Sequence, residues 1–392
     1  MNARQALALA GVTISAFVFN CSEFTPVGLL TDIGATFGTS EAETGLIVSV
    51  YAWAVMIFSV PLMIIGTRLN YRPLFLTITA IFLVGQILTA FAVNYWMMMG
   101  ARLVVACAHC VFWAAGAPLA VKLVDDSKRP LALSIFEVGA AAALVLGMPL
   151  GRAVGLIVGW RMTFGLIALL TAILLVYMFF TLPNVESEKA YKFSQFPTLF
   201  KNKGLVAIFV LTALFAWGYY TGYSYIEPYL LQVANMDKGV ITIALAIFGL
   251  AGVTACLSAS KFYPRFRLSS ISLATVGVPI ASLIIALCAG FNNPTIILFA
   301  CILWGISGSS VAVIYQGEII NVADPEEETV AMAFFSGIYN FGIGFGAFLG
   351  GRVVESIGIQ YVFSAGSALG FCAAAFCVFV AIRQIRKYKV KL

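Results

Sequence analysis

The stretch Phe19-Asn20-Cys21-Ser22-Glu23-Phe24-Thr25-Pro26-Val27-Gly28-Leu29-Leu30 closes the first of a series of long apolar segments, and it sets a carboxylate among Phe, Cys, Thr and Val. An ionisable group inside a membrane span is costly to bury, which makes it a functional-site candidate by default. Asn20 and Glu23 lie three residues apart on one helical face, so their polarity points one way.

The composition makes lipid the solvent. Of 392 residues 61% are hydrophobic and 10% charged, with a mean hydropathy of +1.00; a soluble domain carries about 25% charge. The net charge of +6 does not mark a nucleic-acid partner, because Lys and Arg sit in short loops where they set topology. All eight cysteines fall within apolar segments and read as small packing residues rather than disulfides. The N-terminal apolar run is too long for a signal peptide and contains Glu23, so it is expected to be a retained span.

About 20 apolar residues cross about 30 Å of hydrocarbon. That ruler gives twelve spans, at 6–30, 44–66, 73–93, 96–121, 131–157, 161–182, 204–227, 239–260, 268–290, 294–317, 329–351 and 358–382. None alternates apolar with polar residues as a barrel strand does. The expected fold is an all-α membrane protein of twelve transmembrane helices in two pseudo-symmetric six-helix bundles. Residues 1–182 form the first bundle, 183–203 a polar linker, and 204–392 the second bundle with a basic tail.

With the N-terminus inside, 18 Lys and Arg fall on the cytoplasmic side, whereas the other side holds Arg152, Arg161, Lys238 and Arg352. The positive-inside rule then places both termini in the cytoplasm. The loop from Glu318 to Glu328 is acidic, which weighs little in that rule.

A faint repeat relates the halves at an offset of 200: Gly147, Gly151 and Arg152 match Ala347, Gly351 and Arg352. Small residues every four positions let helix backbones approach closely. A parallel repeat across a central loop is the signature of a two-bundle secondary transporter, with its substrate site at the repeat interface.

Arg102 and His109 lie seven residues apart, two turns along one face of span four. Arg102 sits about 10 Å in from the outer boundary and Glu23 at similar depth, so the two are expected to face each other, with His109 level with Asn20. Burial disfavours the Glu23 carboxylate while a guanidinium favours it, and that balance can carry a coupling proton. The lone histidine changes protonation near physiological pH and either holds the proton or bonds the substrate. A permanent ion pair between spans one and four is the competing structural reading. Glu137 in span five is either a second coupling group or a side chain reaching the interface.

Substrate-wall candidates are Asn20, His109 and Trp113 in the first half. Those in the second half are Tyr220, Tyr223 and Glu227, on one face of span seven, and Ser336, Tyr339 and Asn340 in span eleven. Amides, hydroxyls and rings suit a neutral polyol, although packing explains any one of them equally well. Tyr225 and Tyr229 read as members of an interfacial aromatic belt. Cys107 and Cys110 have C-x-x-C spacing, but a zinc site wants further ligands that nothing supplies. No cofactor is expected, and the chain lacks a phosphate-binding loop. Energy therefore comes from an ion gradient or the substrate gradient.

Ser22-Glu23-Phe24-Thr25-Pro26-Val27-Gly28-Leu29-Leu30-Thr31-Asp32-Ile33, Gly159-Trp160-Arg161-Met162-Thr163-Phe164 and Tyr223-Ser224-Tyr225-Ile226-Glu227-Pro228, with Arg102 and the antiporter-type Gly147-Met148-Pro149-Leu150-Gly151, resemble bacterial sugar-efflux transporters of the major facilitator superfamily, in its drug:proton antiporter branch. The resemblance implies alternating access and export of sugars such as arabinose or thiogalactosides in exchange for protons. It also implies residence in the bacterial inner membrane and coupling roles for Glu23 and Arg102. It departs from the family at Asn70, which stands where the loop Gly66-Thr67-Arg68-Leu69-Asn70-Tyr71-Arg72 would carry an Asp; Arg68 and Arg72 remain candidates to bond span-eleven carbonyls.

The reading is thus a proton-coupled exporter of small sugars or sugar-like solutes, acting as a monomer in the lipid bilayer and not as an enzyme. The rival within the fold is a polyspecific drug or amino-acid/metabolite exporter. A membrane-embedded enzyme lacks a second imidazole or a metal cluster, and a passive channel lacks a filter.

Overall fold

The computed structural model describes residues 1–66, 68–125, 128–186, 199–263, 265–288, 294–324 and 328–388, with a few side chains inside helices left out. The linker expected at 183–203 lies largely outside these residues, as does the Glu137 side chain.

Two helices open on reciprocal caps that the sequence supplies. Asn2 and Gln5 form a reciprocal capping box that opens α1 (Ala3–Gly28), and Ser40 with Glu43 does the same for α3 (Glu41–Gly66). Each box satisfies amides that the first helical turn leaves without partners. After Pro26 the first span breaks at Leu29 (φ −128°, ψ 18°), and α2 (Leu30–Phe37) runs on to a left-handed Gly38. There follow α4 (Tyr71–Ala90), α5 (Tyr95–Lys122), α6 (Arg129–Val158) and α7 (Trp160–Thr181).

The second half repeats the plan with α8 (Lys203–Tyr223), α9 (Ile226–Gln232), α10 (Lys238–Phe262), α11 (Arg267–Cys288), α12 (Pro294–Val322), α13 (Glu328–Ser356) and α14 (Val362–Phe376). Each of the twelve expected spans has its long helix. Among the described residues ten helices are long and apolar enough to cross a membrane, and α6 adds the shorter apolar stretch Leu146–Val158.

The chain divides into two compact units, Met1–Thr39 with Val50–Ala190, and Ser40–Ser49 with Tyr191–Leu392. Inside the first, the glycines of α6 lie on α1: a Cβ at Gly139, Gly147, Gly151 or Gly155 would press on Thr13, Cys21, Thr25 or Leu29, in each case a residue 126 positions earlier. Inside the second, Gly342, Gly346 and Gly351 of α13 meet Ala216, Tyr220 and Tyr225, again 126 positions earlier. One glycine rail therefore sets the same register of first against fifth span in both units. Where backbones come this close, dispersion contacts hold helices that gain nothing from hydrophobic burial in lipid. At the end of α1, the buried Arg152 of α6 donates to the Gly28 carbonyl at 2.7 Å, placing a cation at the negative pole of the helix.

Two expectations are corrected. Glu318 is not a loop residue: α12 continues to Val322, and Glu318 is buried. Its carboxylate accepts Arg267 Nε at 2.7 Å, Arg267 Nη2 at 2.6 Å and the Tyr263 hydroxyl at 2.5 Å, while Asn321 donates to that hydroxyl at 2.8 Å. A fork-shaped cation with further hydrogen bonds is what makes such burial tolerable. Burial, reinforced by the adjacent Glu318 charge, raises the Tyr263 phenol above its ordinary range. Secondly, Tyr225 and Tyr229 are no interfacial belt: both are fully buried, with hydroxyls donating to Ala347 (3.1 Å) and Ile285 (3.4 Å). Within the first unit, Arg72 donates to the Phe179 carbonyl of α7 at 2.8 Å.

Candidate functional site

In the first unit α1, α3, α4 and α5 bring Ser22, Glu23, Tyr51, Gln86, Arg102 and His109 together. His109 Nε2 lies 3.4 Å from Glu23 Oε2, the imidazole almost fully buried and the carboxylate side chain 15% exposed. Rings surround the imidazole: Tyr51 edge-on at 5.6 Å, Trp113 at 6.1 Å and Phe19 at 6.2 Å. Phe19 in turn stacks on Phe82 and Phe112, which fixes the wall that α1 presents to α5.

The expected pairing of Glu23 with Arg102 is corrected. Among the described residues Arg102 has no carboxylate in ion-pair contact. Its Nη1 donates to the Ser22 hydroxyl at 3.0 Å, and its guanidinium lies over the Tyr51 ring at 4.4 Å. Gln86 Nε2 donates to the same Ser22 oxygen at 2.6 Å. Ser22 and Glu23 are adjacent on α1 and therefore about 100° apart around it. The long Arg102 side chain takes the serine face, and His109, two turns along α5, takes the glutamate face. Cation–π contact and a hydrogen bond replace the counter-ion.

Asn20 is buried and donates to the Ala140 carbonyl of α6 at 3.4 Å, so the structure gives it a packing partner rather than a place in the ion-pair cluster. Among the described residues no group of three His, Cys, Asp or Glu is placed to hold a metal ion. Sequence reasoning missed Ser22, Tyr51 and Gln86 as site members. Gln86, an amide amid the apolar residues of α4, was the findable one, since polar groups in a span mark function.

In the second unit Tyr220 and Tyr223 are buried and pack edge-on at 5.4 Å. Tyr339 meets Tyr220 at 6.0 Å, and Tyr219, Phe248 and Trp304 complete an aromatic cluster around Tyr223. Glu227 is buried in α9. Ser336 is exposed, and Asn340 donates to its carbonyl at 3.0 Å along α13. The aromatic candidates are thus brought together, while the Asn340 amide is turned onto its own helix.

The sequence profile of the Major Facilitator Superfamily matches residues 12–324. The chain belongs to the Major Facilitator Superfamily. Among curated relatives, the chain is 36% identical over 372 residues to a protein of Helicobacter pylori (strain P12) named "Probable sugar efflux transporter", covering 95% of this chain and 94% of that one. A relative of the same name from Pasteurella multocida (strain Pm70) is 36% identical over 380 residues, covering 96% and 91%. Solved structures of the superfamily share the fold. A D-xylose-proton symporter superposes with a TM-score of 0.77 at 10% identity, covering 95% of this chain and 96% of that one. A bacterial homologue of the human lysosomal transporter Spinster, inward-facing and occupied, gives 0.79 at 16% identity with full coverage of both. The superfamily and the relatives' names are those of transporters, and this member is a multi-pass membrane protein.

Proposed function

We infer that this chain is a proton-coupled secondary transporter that exports small sugars or sugar-like solutes by alternating access. The observation that carries the reading is the half-buried Glu23 carboxylate against the buried His109, beside the buried Arg102, an acid and a base in direct contact inside a membrane domain. Intramembrane ionisable groups of this kind mark proton relays. Sugar as the solute is supported by the names of relatives that align along nearly the whole chain. Glu23 and His109 exchange the proton, and Arg102 biases the exchange as its surroundings change. Asn20, Trp113, Tyr220, Tyr223, Glu227, Ser336, Tyr339 and Asn340 are the proposed substrate-wall residues. The excess of Lys and Arg on one side supports residence in the bacterial inner membrane with both termini in the cytoplasm.

A second reading, a polyspecific exporter of apolar drugs, is favoured by the Tyr219–Tyr220–Tyr223–Trp304 cluster alone. Inverted membrane vesicles separate the two. Labelled sugar accumulating when the lumen is acidified supports sugar:proton exchange. Drug accumulation without sugar accumulation supports the second reading, and sugar uptake indifferent to the gradient contradicts proton coupling.

A further inference from the structure

Four buried polar atoms crowd the neighbourhood of the Glu23–His109 pair without hydrogen-bond partners among the described residues: Tyr51 Oη, Gln86 Oε1, Arg102 Nε and His109 Nδ1. Their residues are at most 3% exposed. Folded proteins leave few such groups, because each unmade bond costs about 1–3 kcal/mol. Four in one cluster therefore call for a purpose other than packing.

The four are physically connected. The Arg102 guanidinium lies 4.4 Å above the Tyr51 ring, the Tyr51 ring meets the His109 ring at 5.6 Å, and Gln86 joins Arg102 through the shared Ser22 hydroxyl. Their chemistry is mixed. A phenol both donates and accepts, an amide oxygen accepts, a guanidinium nitrogen donates, and an imidazole nitrogen does one or the other. An anion site would present donors alone and a cation site acceptors alone. A neutral solute with several hydroxyls, each giving and taking a hydrogen bond, matches this set.

We propose that Tyr51 of α3 and Gln86 of α4 are substrate-contact residues, their free polar atoms binding hydroxyl groups of a neutral polyol next to the Glu23–His109 pair. This deepens the sugar-export reading and rests on it. It adds two helices to a site that the sequence assigned to the first, fourth, seventh and eleventh spans, and it puts solute and proton on touching side chains. Solute hydroxyls at Tyr51 and Arg102 then lie beside the ion pair whose proton must move.

The test uses the full-length protein in proteoliposomes, with labelled arabinose competed by a series of singly deoxygenated arabinoses. Tyr51→Phe removes one oxygen and keeps the ring under Arg102. It is expected to raise the half-saturation concentration about three- to tenfold, the loss of one hydrogen bond, with maximal rate and pH dependence retained. In the variant, one deoxy analogue should compete as well as the parent sugar, a non-additivity that only a direct contact produces. Gln86→Met, close in shape, should do the same for a different hydroxyl. Wild-type affinity and an unchanged ranking of analogues in both variants overturns the assignment while leaving sugar export standing. A wild-type protein that carries no sugar takes down both.

Discussion

His109 Nε2 stands 3.4 Å from Glu23 Oε2, whereas the guanidinium of Arg102, in the same cluster, bonds the neighbouring Ser22. The base facing the carboxylate is therefore one that can lose its charge. A guanidinium stays protonated at any physiological pH and would hold Glu23 ionised permanently; an imidazole can hand over its proton. His109→Arg should accordingly lock the pair, abolishing gradient-driven accumulation while the protein still folds. Vesicle accumulation assays with and without an acid lumen, alongside a thermal melt, read both.

Arg102 is held by the face of Tyr51 and by a directed bond to Ser22. A lysine ammonium is a point charge without a planar face, so Arg102→Lys keeps the charge and loses the geometry. Transport should fall by about tenfold or more, the equivalent of about 1.4 kcal/mol. Activity near wild type in Arg102→Lys means that only the charge matters.

At the other end of the molecule's chemistry, Glu318 and Arg267 form a buried two-point pair. Removing one partner strands a charge, so Glu318→Gln should lower stability in detergent by about 3 kcal/mol. The double replacement Glu318→Met with Arg267→Met should recover much of it. Chemical denaturation of the three variants gives the answer; equal stability of Glu318→Gln and wild type contradicts the role.

Tyr263 carries the pH signature of that cluster. Its phenol is raised in the folded state, so the folded chain keeps a proton that the unfolded chain releases above about pH 10. Stability from this group is complete below that pH and declines as pH rises further. Melting temperatures from pH 8 to pH 11 should show a decline at the alkaline end that is shallower in Tyr263→Phe.

Much of this was written in the chain. The twelve apolar runs are local consequences of hydropathy, so residues near in sequence disclose them; the break after Pro26, inside the run read as one span at 6–30, did not show in hydropathy. The small-residue spacing Gly147–Gly151 against Ala347–Gly351 disclosed a repeat, and the structure shows why in the identical register of both rails. Partner choice was not disclosed. Depth along a helix put Glu23 level with Arg102, but depth says nothing of azimuth, and a turn of about 100° between Ser22 and Glu23 decided which partner each received. Glu318 was misplaced because its partner lies 51 residues away, and a carboxylate neutralised by Arg267 looks in sequence like one that belongs in water. Tyr225 and Tyr229 followed the interfacial habit of their residue type and were overruled by carbonyl acceptors on distant helices.

The rails make a sharp pair of variants. A side chain at Gly139 would overlap the Thr13 carbonyl, whereas a Cβ at Gly100 meets nothing within 4 Å. Gly139→Val should cost about 1–3 kcal/mol or prevent folding, and Gly100→Ala should be neutral or stabilise by up to about 1 kcal/mol. Expression level and melting temperature distinguish them.

Glu23 is the group on which coupling turns, and trapping a pH-sensitive dye in sugar-loaded proteoliposomes tests it most directly. On dilution into sugar-free buffer, wild-type protein should acidify the lumen as sugar leaves and protons enter. Glu23→Gln should release sugar with no acidification. Acidification of wild-type extent in Glu23→Gln would show that the proton travels by another route.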